Sequence, residues 1–339
     1  MIDDSAISAD SVRMRSKILP PLLAATPGPV YTTPLGEAWC ADSSDWLPTL
    51  ADDSVDLAIT SPPFALLRPK AYGNRVEDDY LDWLLGFMKA LRPKLRDSGS
   101  AVIDLGGAYV RGTPVRTLVQ WKFLIRAVEE LGYFLAQECY WCNTSKLPTP
   151  FEWVNKRKIR LKDPVDTVWW LSKTPWPKAD ITQVRTPYST RMKKLLADPA
   201  KYYTPAGRPS QHAVSDKFAL DNGGALPSHL LSLPNSESNS LYLRACKAAG
   251  VAPHPARYPS GLPEFFIKLL TEPGDLVIDF FAGSNTSGAV AEGLGRRWAA
   301  CELDTDYVRA SALRFIEDVS DASAVVEALS TGKRLRFES

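Results

Sequence analysis

Val55-Asp56-Leu57-Ala58-Ile59-Thr60-Ser61-Pro62-Pro63-Phe64 is the stretch from which the rest of the chain becomes readable. Its first six residues form a short, β-branched apolar run, the pattern of a buried parallel strand. Two consecutive prolines stop that strand and stiffen the backbone, with no N–H at either position. The carbonyls before them are left to accept hydrogen bonds from outside the chain. A hydroxyl, Ser61, precedes the pair and a ring, Phe64, follows it, at the carboxyl end of a strand, where open α/β sheets place ligands. Rigid acceptors beside a ring suit a planar base with an exocyclic amino group. Taken alone, the same residues also read as a tight loop exit.

Working outward, the grammar repeats. Gly36 to Ser43 is a short strand ending on an acidic residue, Asp42, which suits either an adenine amino group or a helix N-cap. Ala65 to Glu77 is polar and reads as a loop over the site. Leu81, Leu84, Leu85, Met88, Leu91 and Leu95 form a 3.6-residue apolar stripe. Ala101 to Leu105 is a strand, Leu118 to Leu131 a helix, and Tyr133 to Trp141 a strand. Later come a helix at Pro263 to Thr271, a strand at Gly274 to Phe280, a small-residue loop, a helix through Leu294, a strand at Arg297 to Glu302, and a closing helix at Tyr307 to Val319. The expected fold class is α/β, a doubly wound, mostly parallel sheet.

The loop Phe281-Ala282-Gly283-Ser284-Asn285-Thr286-Ser287 follows a strand ending in Asp279, and the next strand ends in Glu302. Small residues let a ligand approach the backbone, and Glu302 can accept two ribose hydroxyls. The loop is not Gly-x-Gly-x-x-Gly and lacks a phosphate-loop lysine, which disfavours a dinucleotide or ATP. Asp279 suits a cationic amino group, and N–H groups at Asn285, Thr286 and Ser287 suit a carboxylate. S-adenosylmethionine has both features.

Composition narrows the partners. The formal net charge of +1 hides a segregation: Lys146 to Lys217 holds 15 Lys/Arg against 6 Asp/Glu, and the remainder 25 against 33. A local excess of that size fits a polyanion. Trp153, Trp169, Trp170, Trp176, Tyr188, Tyr202 and Tyr203 are interleaved with it and favour nucleic acid, although several belong to a core. No apolar run approaches the ~20 residues of a membrane span. The N-terminus, with Asp3, Asp4 and Asp10, lacks a signal-peptide pattern. Five scattered cysteines suggest a reducing interior; the lone Cys139-x-x-Cys142 sits in a strand, where residues three apart face opposite ways, so no metal site is expected. The expected organisation is an N-terminal tail at 1–30, a catalytic half at 31–173, a target-recognition region at 174–250, a cofactor half at 251–329 and a frayed tail at 330–339.

Together, Ser61-Pro62-Pro63-Phe64 and Phe281-Ala282-Gly283-Ser284-Asn285-Thr286 resemble the catalytic and cofactor motifs of amino-group DNA methyltransferases. The catalytic motif comes first and a basic segment lies between, which is the circularly permuted β-group order; the Ser-Pro-Pro-Phe form resembles the N4-cytosine enzymes. A likeness to one member of that group runs from Tyr31 to Phe315 and includes Leu35 to Ala38, Glu152 to Arg160, Asn235 to Asn239 and His254 to Arg257. Ala282 stands where many relatives have Gly.

The resemblance implies a catalytic site of Ser61, Pro62, Pro63 and Phe64. It implies a cofactor site of Asp279, Phe281, Ala282, Gly283, Ser284, Asn285 and Thr286, with Glu302 on the ribose, Asp42 near the adenine, and His254 and Pro255 closing over the methionine. The cofactor implied is S-adenosylmethionine. DNA contacts are expected from Arg191, Lys193, Lys194, Lys201, Arg208 and His212. The implied partner is double-stranded DNA carrying a CAGCTG-like palindrome modified at the inner cytosine. A separate restriction endonuclease, a monomer and a cytoplasmic bacterial setting are implied with it. Ser61 and the Pro62 carbonyl would accept the two amino hydrogens of a flipped cytosine stacked on Phe64. C5 methylation is disfavoured because no cysteine follows a proline. The rivals are N6-adenine methylation, an inactive DNA-binding regulator and a protein-amide methyltransferase, whose motif order is not permuted.

Overall fold

The computed structural model describes residues 16–21, 28–63, 77–199, 220–236 and 239–338, with backbone alone at 16–21 and 77–78. The chain begins with β1 (Ser16–Pro21), β2 (Tyr31–Thr32) and β3 (Gly36–Cys40), then α1 (Ser43–Trp46). The apolar run is β4 (Val55–Thr60), buried at all six positions. The leucine stripe is α2 (Glu77–Leu91), followed by β5 (Leu95–Leu105), α3 (Val119–Glu129), β6 (Phe134–Cys142) and β7 (Val165–Ser172). The middle of the chain adds α4 (Thr190–Ala197), β8 (Leu230–Ser232) and α5 (Leu241–Ala248). The last part is α6 (Gly261–Leu270), β9 (Leu276–Asp279), α7 (Thr286–Gly293), β10 (Arg297–Glu302), α8 (Thr305–Ser311), α9 (Ala322–Ser330) and β11 (Lys333–Phe337).

Among the described residues the strands form one sheet in the order β1-β11-β2-β3-β10-β9-β4-β5-β7-β6-β8. Its centre, β3-β10-β9-β4-β5, is wholly parallel. Successive residues of the central strands feed opposite faces, as a pleat requires. Val277, Trp298, Ala300 and Val102 pack with α5 to α9, while Ile278, Ala299, Cys301 and Ile103 pack with α1 to α3. Both faces are therefore covered, which is why these strands read as continuous apolar runs. Each fully buried side chain such as Phe266 or Leu84 contributes roughly 1.5–3 kcal/mol to folding.

Five expectations change. β6 and β7 form an antiparallel hairpin rather than extending the parallel sheet. The frayed C-terminal tail is instead β11, pairing with β1 and β2; Leu335 and Phe337 are buried, and Phe337 meets Tyr31 edge-on at 5.9 Å. Five residues with two inward apolar positions are too short a pattern to announce a strand without its neighbours. β1 likewise lies within the expected N-terminal tail. The single closing helix breaks at Ser311 into a 3₁₀ turn, and α9 follows. Finally, α5, assigned at sequence level to 174–250, buries Tyr242, Ala245 and Cys246 in the core.

The consequence for function lies at the carboxyl ends of the central strands. β4 and β9 pair in parallel, so Thr60 and Asp279 stand side by side: Thr60 Oγ1 donates to Asp279 Oδ1 at 2.7 Å across 219 residues of sequence. Both motif loops leave the sheet there, at strand carboxyl ends.

Candidate active site

Ser61 is the first residue beyond β4. β5 runs parallel beside it with Thr60 opposite Ile103, which brings the next residue, Asp104, under the Ser61 hydroxyl. Ser61 Oγ donates to Asp104 Oδ2 at 3.1 Å, and Asp104 Oδ1 is buried with no hydrogen-bond partner. Burial, with Asp166 adding to it, holds the Asp104 carboxyl well above the usual carboxylate range, against the opposing pull of the Ser61 hydrogen bond and Lys146. Asp166, at the start of β7, is also raised by burial and opposed by Lys146, whose Nζ lies 3.4 Å from its Oδ1. A hydroxyl that has donated its proton presents only lone pairs to a ligand. The Pro62-Pro63 backbone leaves that hydroxyl at the wall of a cleft of 1380 Å³.

The 279–286 loop forms the adjoining wall. Gly283 adopts φ +51°, and its N–H donates to Glu302 Oε2 at 2.8 Å; Oε1 accepts from Asp304 N at 2.9 Å. Fixed by these backbone N–H groups, the Glu302 carboxylate lines the cleft as a hydrogen-bond acceptor. Burial raises the Glu302 carboxyl, and these backbone N–H groups oppose it. Asn285 sits in the left-handed region, where Asn is among the tolerated residues, and its side chain caps α7 by accepting from Gly288 N at 3.0 Å. Arg314 ties the loop from behind, donating to Ser284 O, Ser284 Oγ and Thr286 Oγ1 at 2.5, 2.9 and 2.9 Å. Phe281 is packed by Trp83 and Phe87, at 5.3 and 4.9 Å between ring centres.

Most of the residues singled out in the sequence meet in this cleft. Ser61, Pro62 and Pro63 line one flank. Asp42, Phe281, Ala282, Gly283, Ser284, Thr286 and Glu302 line the other, with His254 and Pro255 beside them. Asp42 also takes the bland role open to it, capping α1 by accepting from Ser44 N at 2.8 Å. The His254 ring stands edge-on to Tyr307 at 4.5 Å, and its Nδ1 lies 2.6 Å from Ala256 O.

Two are placed differently. Asp279 is buried behind the wall and its carboxylate accepts four hydrogen bonds, from Thr60, Phe281 N, Tyr258 and Ser287. It does not line the cleft; Tyr258, which donates to it, does. The Asn285 side chain likewise points inward, donating to Tyr31 at 3.0 Å, and its backbone N–H, expected to be available, donates to Ala282 O at 2.7 Å. Arg191, Lys193 and Lys194 lie exposed on α4, off the cleft wall. Phe64, Lys201, Arg208 and His212 fall outside the described residues. Of the interleaved aromatics, Trp169 and Trp170 belong to the core and Trp153 lines the cleft.

Sequence reasoning passed over Asp104, Asp166, Lys146, Tyr258 and Arg314. Asp104 carried a signal, an acidic residue inside a buried strand next to Gly106-Gly107. Arg314 carried none, since its partners are 28 and 30 residues away.

The chain is similar to several known methyltransferases. The Type II methyltransferase M.PvuII of Proteus hauseri is 54% identical over 290 residues, 86% of either chain. M.BglII of Bacillus subtilis is 26% identical over 81% of this chain and 67% of its own. Among solved structures, the PvuII cytosine-N4-specific DNA methyltransferase superposes with a TM-score of 0.74 at 44% identity, over 90% of this chain and 96% of that one. A modification methylase of Thermus thermophilus, solved with S-adenosyl-L-methionine, shares the fold at a TM-score of 0.52 and 18% identity, over 84% and 93% of the two chains. A family model described as DNA methylase matches residues 55–313, from the first residue of β4 through the 3₁₀ turn after α8. With both motif loops on one cleft and most of its length matched, the chain belongs to the DNA methylase family.

Proposed function

We propose that the protein transfers a methyl group from S-adenosylmethionine to the N4 amine of cytosine in double-stranded DNA. The target is a CAGCTG-like palindrome, and the enzyme is the modification partner of a separately acting restriction endonuclease, working as a monomer in the cytoplasm. The observation that carries the reading is Ser61, on a Pro-Pro-stiffened strand end, donating to buried Asp104 in the same cleft as the 281–286 loop and Glu302.

The residues present fit the cofactor. Glu302 offers an acceptor carboxylate for the ribose hydroxyls, Asp42 offers a carboxylate for an adenine amine, and Ala282, Gly283 and Ser284 let a ligand approach the backbone. Phe281, Thr286, His254 and Pro255 complete that flank. Bound there, S-adenosylmethionine supplies an electrophilic methyl carbon on a sulfonium whose departing sulfur keeps the electron pair.

The chain's own residues deal with a poor nucleophile, because the cytosine N4 lone pair is delocalised into the ring. Ser61 Oγ and the Pro62 carbonyl accept the two N4 hydrogens and localise that lone pair. As the new N–C bond forms, N4 gives one proton to Ser61 Oγ, and Ser61 passes its own proton to Asp104 Oδ2. A carboxyl held above its ordinary range is a better proton acceptor than a solvated one. Aromatic and apolar side chains on the wall exclude water.

The test is expression in a host lacking base methylation, followed by mass spectrometry of its nucleosides. N4-methylcytosine is expected. N6-methyladenine would overturn the choice of base, and neither product, with S-adenosylmethionine still bound, would replace an enzyme with a DNA-binding regulator.

A further inference from the structure

The run 147–162 contains Glu152 to Arg160, one of the stretches of likeness outside the two family motifs, and the reaction described above gives it no role. Lys146, Thr149, Pro150, Trp153 and Asp163 line the cleft, so the segment forms its lip. It carries Lys156, Arg157, Lys158, Arg160 and Lys162 against one acidic residue, Glu152. Among these charges stand exposed apolar side chains: Phe151 is 62% exposed and Leu161 89%. A lone exposed leucine is ordinary, but apolar side chains grouped in one cationic run beside a catalytic cleft are not.

The lip is also braced. Glu152–Lys156 is a π-helical turn, and Glu152 pairs with Lys156 at 3.3 Å and Arg157 at 3.1 Å. The Arg157 guanidinium lies 5.0 Å from the Trp153 ring centre, Asn155 Nδ2 donates to Pro148 O at 2.5 Å, and Arg160 Nε donates to Pro114 O at 2.9 Å. Lys158 is held at φ +55°, a conformation costing of order 1 kcal/mol or more that persists only when its surroundings enforce it. Phe151, whose ring centre lies 5.8 Å from Lys156 Nζ, and Leu161 flank this braced cationic run in sequence.

We propose that this lip docks on duplex DNA and that Phe151 and Leu161 enter the base stack, filling the space left by the flipped cytosine. The inference rests on the function proposed above. The cations track the phosphates, which positions the lip without reading sequence. The apolar side chains wedge the stack open, as apolar residues do where proteins kink or unstack DNA. A base must leave the duplex to reach Ser61, so a wedge lowers the cost of the open state.

The test compares the full chain with F151A, L161A and the double variant on CAGCTG duplexes. Single-turnover methylation is measured alongside the fluorescence of 2-aminopurine placed at the target position. The double variant should bind S-adenosylmethionine normally, bind DNA within ~3-fold, lose the fluorescence rise, and methylate a paired target at least ~30-fold more slowly. Placing the target cytosine opposite an abasic site should restore its rate to within ~3-fold of wild type, because the base then needs little help to leave. An unimpaired double variant, or one equally slow on the abasic duplex, overturns the wedge. A wild-type chain making no N4-methylcytosine would overturn the proposed function and the wedge with it, so the two failures are distinguishable.

Discussion

The cleft has two kinds of wall. On the cofactor flank nearly every polar side chain is answered by protein: Asp279 accepts four hydrogen bonds, Asn285 caps α7 and reaches Tyr31, and Arg314 holds three oxygens. On the lip, Phe151, Ile159 and Leu161 are exposed and Lys156 and Arg157 stand more than half in solvent. Between them lies Asp104, buried yet with one oxygen unpartnered. The difference matches the roles proposed for them: a small ligand needs fixed dipoles, whereas a duplex polyanion needs reach and charge. The reacting residues sit where the two walls meet.

The strongest way to break that division is Ser61→Ala. Its single-turnover rate should fall by about 10²–10³, the cost of losing one preorganised hydrogen-bonding group, with cofactor affinity by calorimetry unchanged within ~2-fold. An equal loss of cofactor binding would erase the boundary between the walls.

Asp104→Asn tests the junction itself. It should lower the rate by about 10², the lower end for removing a positioned proton acceptor. The wild-type rate should climb as pH rises through the raised Asp104 pKa, and that limb should vanish in the variant. Stability moves the other way. A carboxyl raised in the fold contributes fully only below its unfolded value and loses that contribution as pH rises through the folded one. Asp104→Asn should therefore melt above wild type in the alkaline range, with the gap closing on acidification. A variant less stable than wild type throughout would mean that Asp104 is a structural residue.

Gly283→Ala sharpens the cofactor wall alone. A Cβ there would lie 3.1 Å from the His254 ring, on backbone at φ +51° that L side chains resist by roughly 1–2 kcal/mol. Cofactor affinity should drop about tenfold, as that strain implies, while the rate at saturating cofactor changes little. The smallest effect belongs to the lip: K156A together with K158A should weaken DNA binding several-fold and reduce the slope of log affinity against log salt by about 2, leaving cofactor affinity alone.

Legibility followed the same division. The cofactor wall could be read because its strand, loop and helix are contiguous over 276–293, so periodicity and small residues mark it locally. Even there, residue type did not place Asp279: a carboxylate at a strand end looks open to a ligand, whereas in the fold Thr60, Tyr258 and Ser287 donate to it. The basic excess was visible over Lys146 to Lys217, but which part of it borders the cleft was not: Lys146, Trp153 and Asp163, at its N-terminal end, line the cleft. Trp169 and Trp170, read with the basic aromatics, went to the core because β7 pairs inside the sheet.

By itself the sequence determined the alternation of strands and helices, the two strand-end motifs and the separation of basic from acidic surface. These are properties of residues close along the chain, where side-chain period and backbone stereochemistry act directly. Only the tertiary structure decided that β4 lies between β9 and β5, and hence that Thr60 touches Asp279 and Ser61 touches Asp104. It also decided that Lys333–Phe337 completes the sheet instead of fraying. Strand neighbours are chosen by the joint burial of both sheet faces, a condition that no single segment carries in its own pattern.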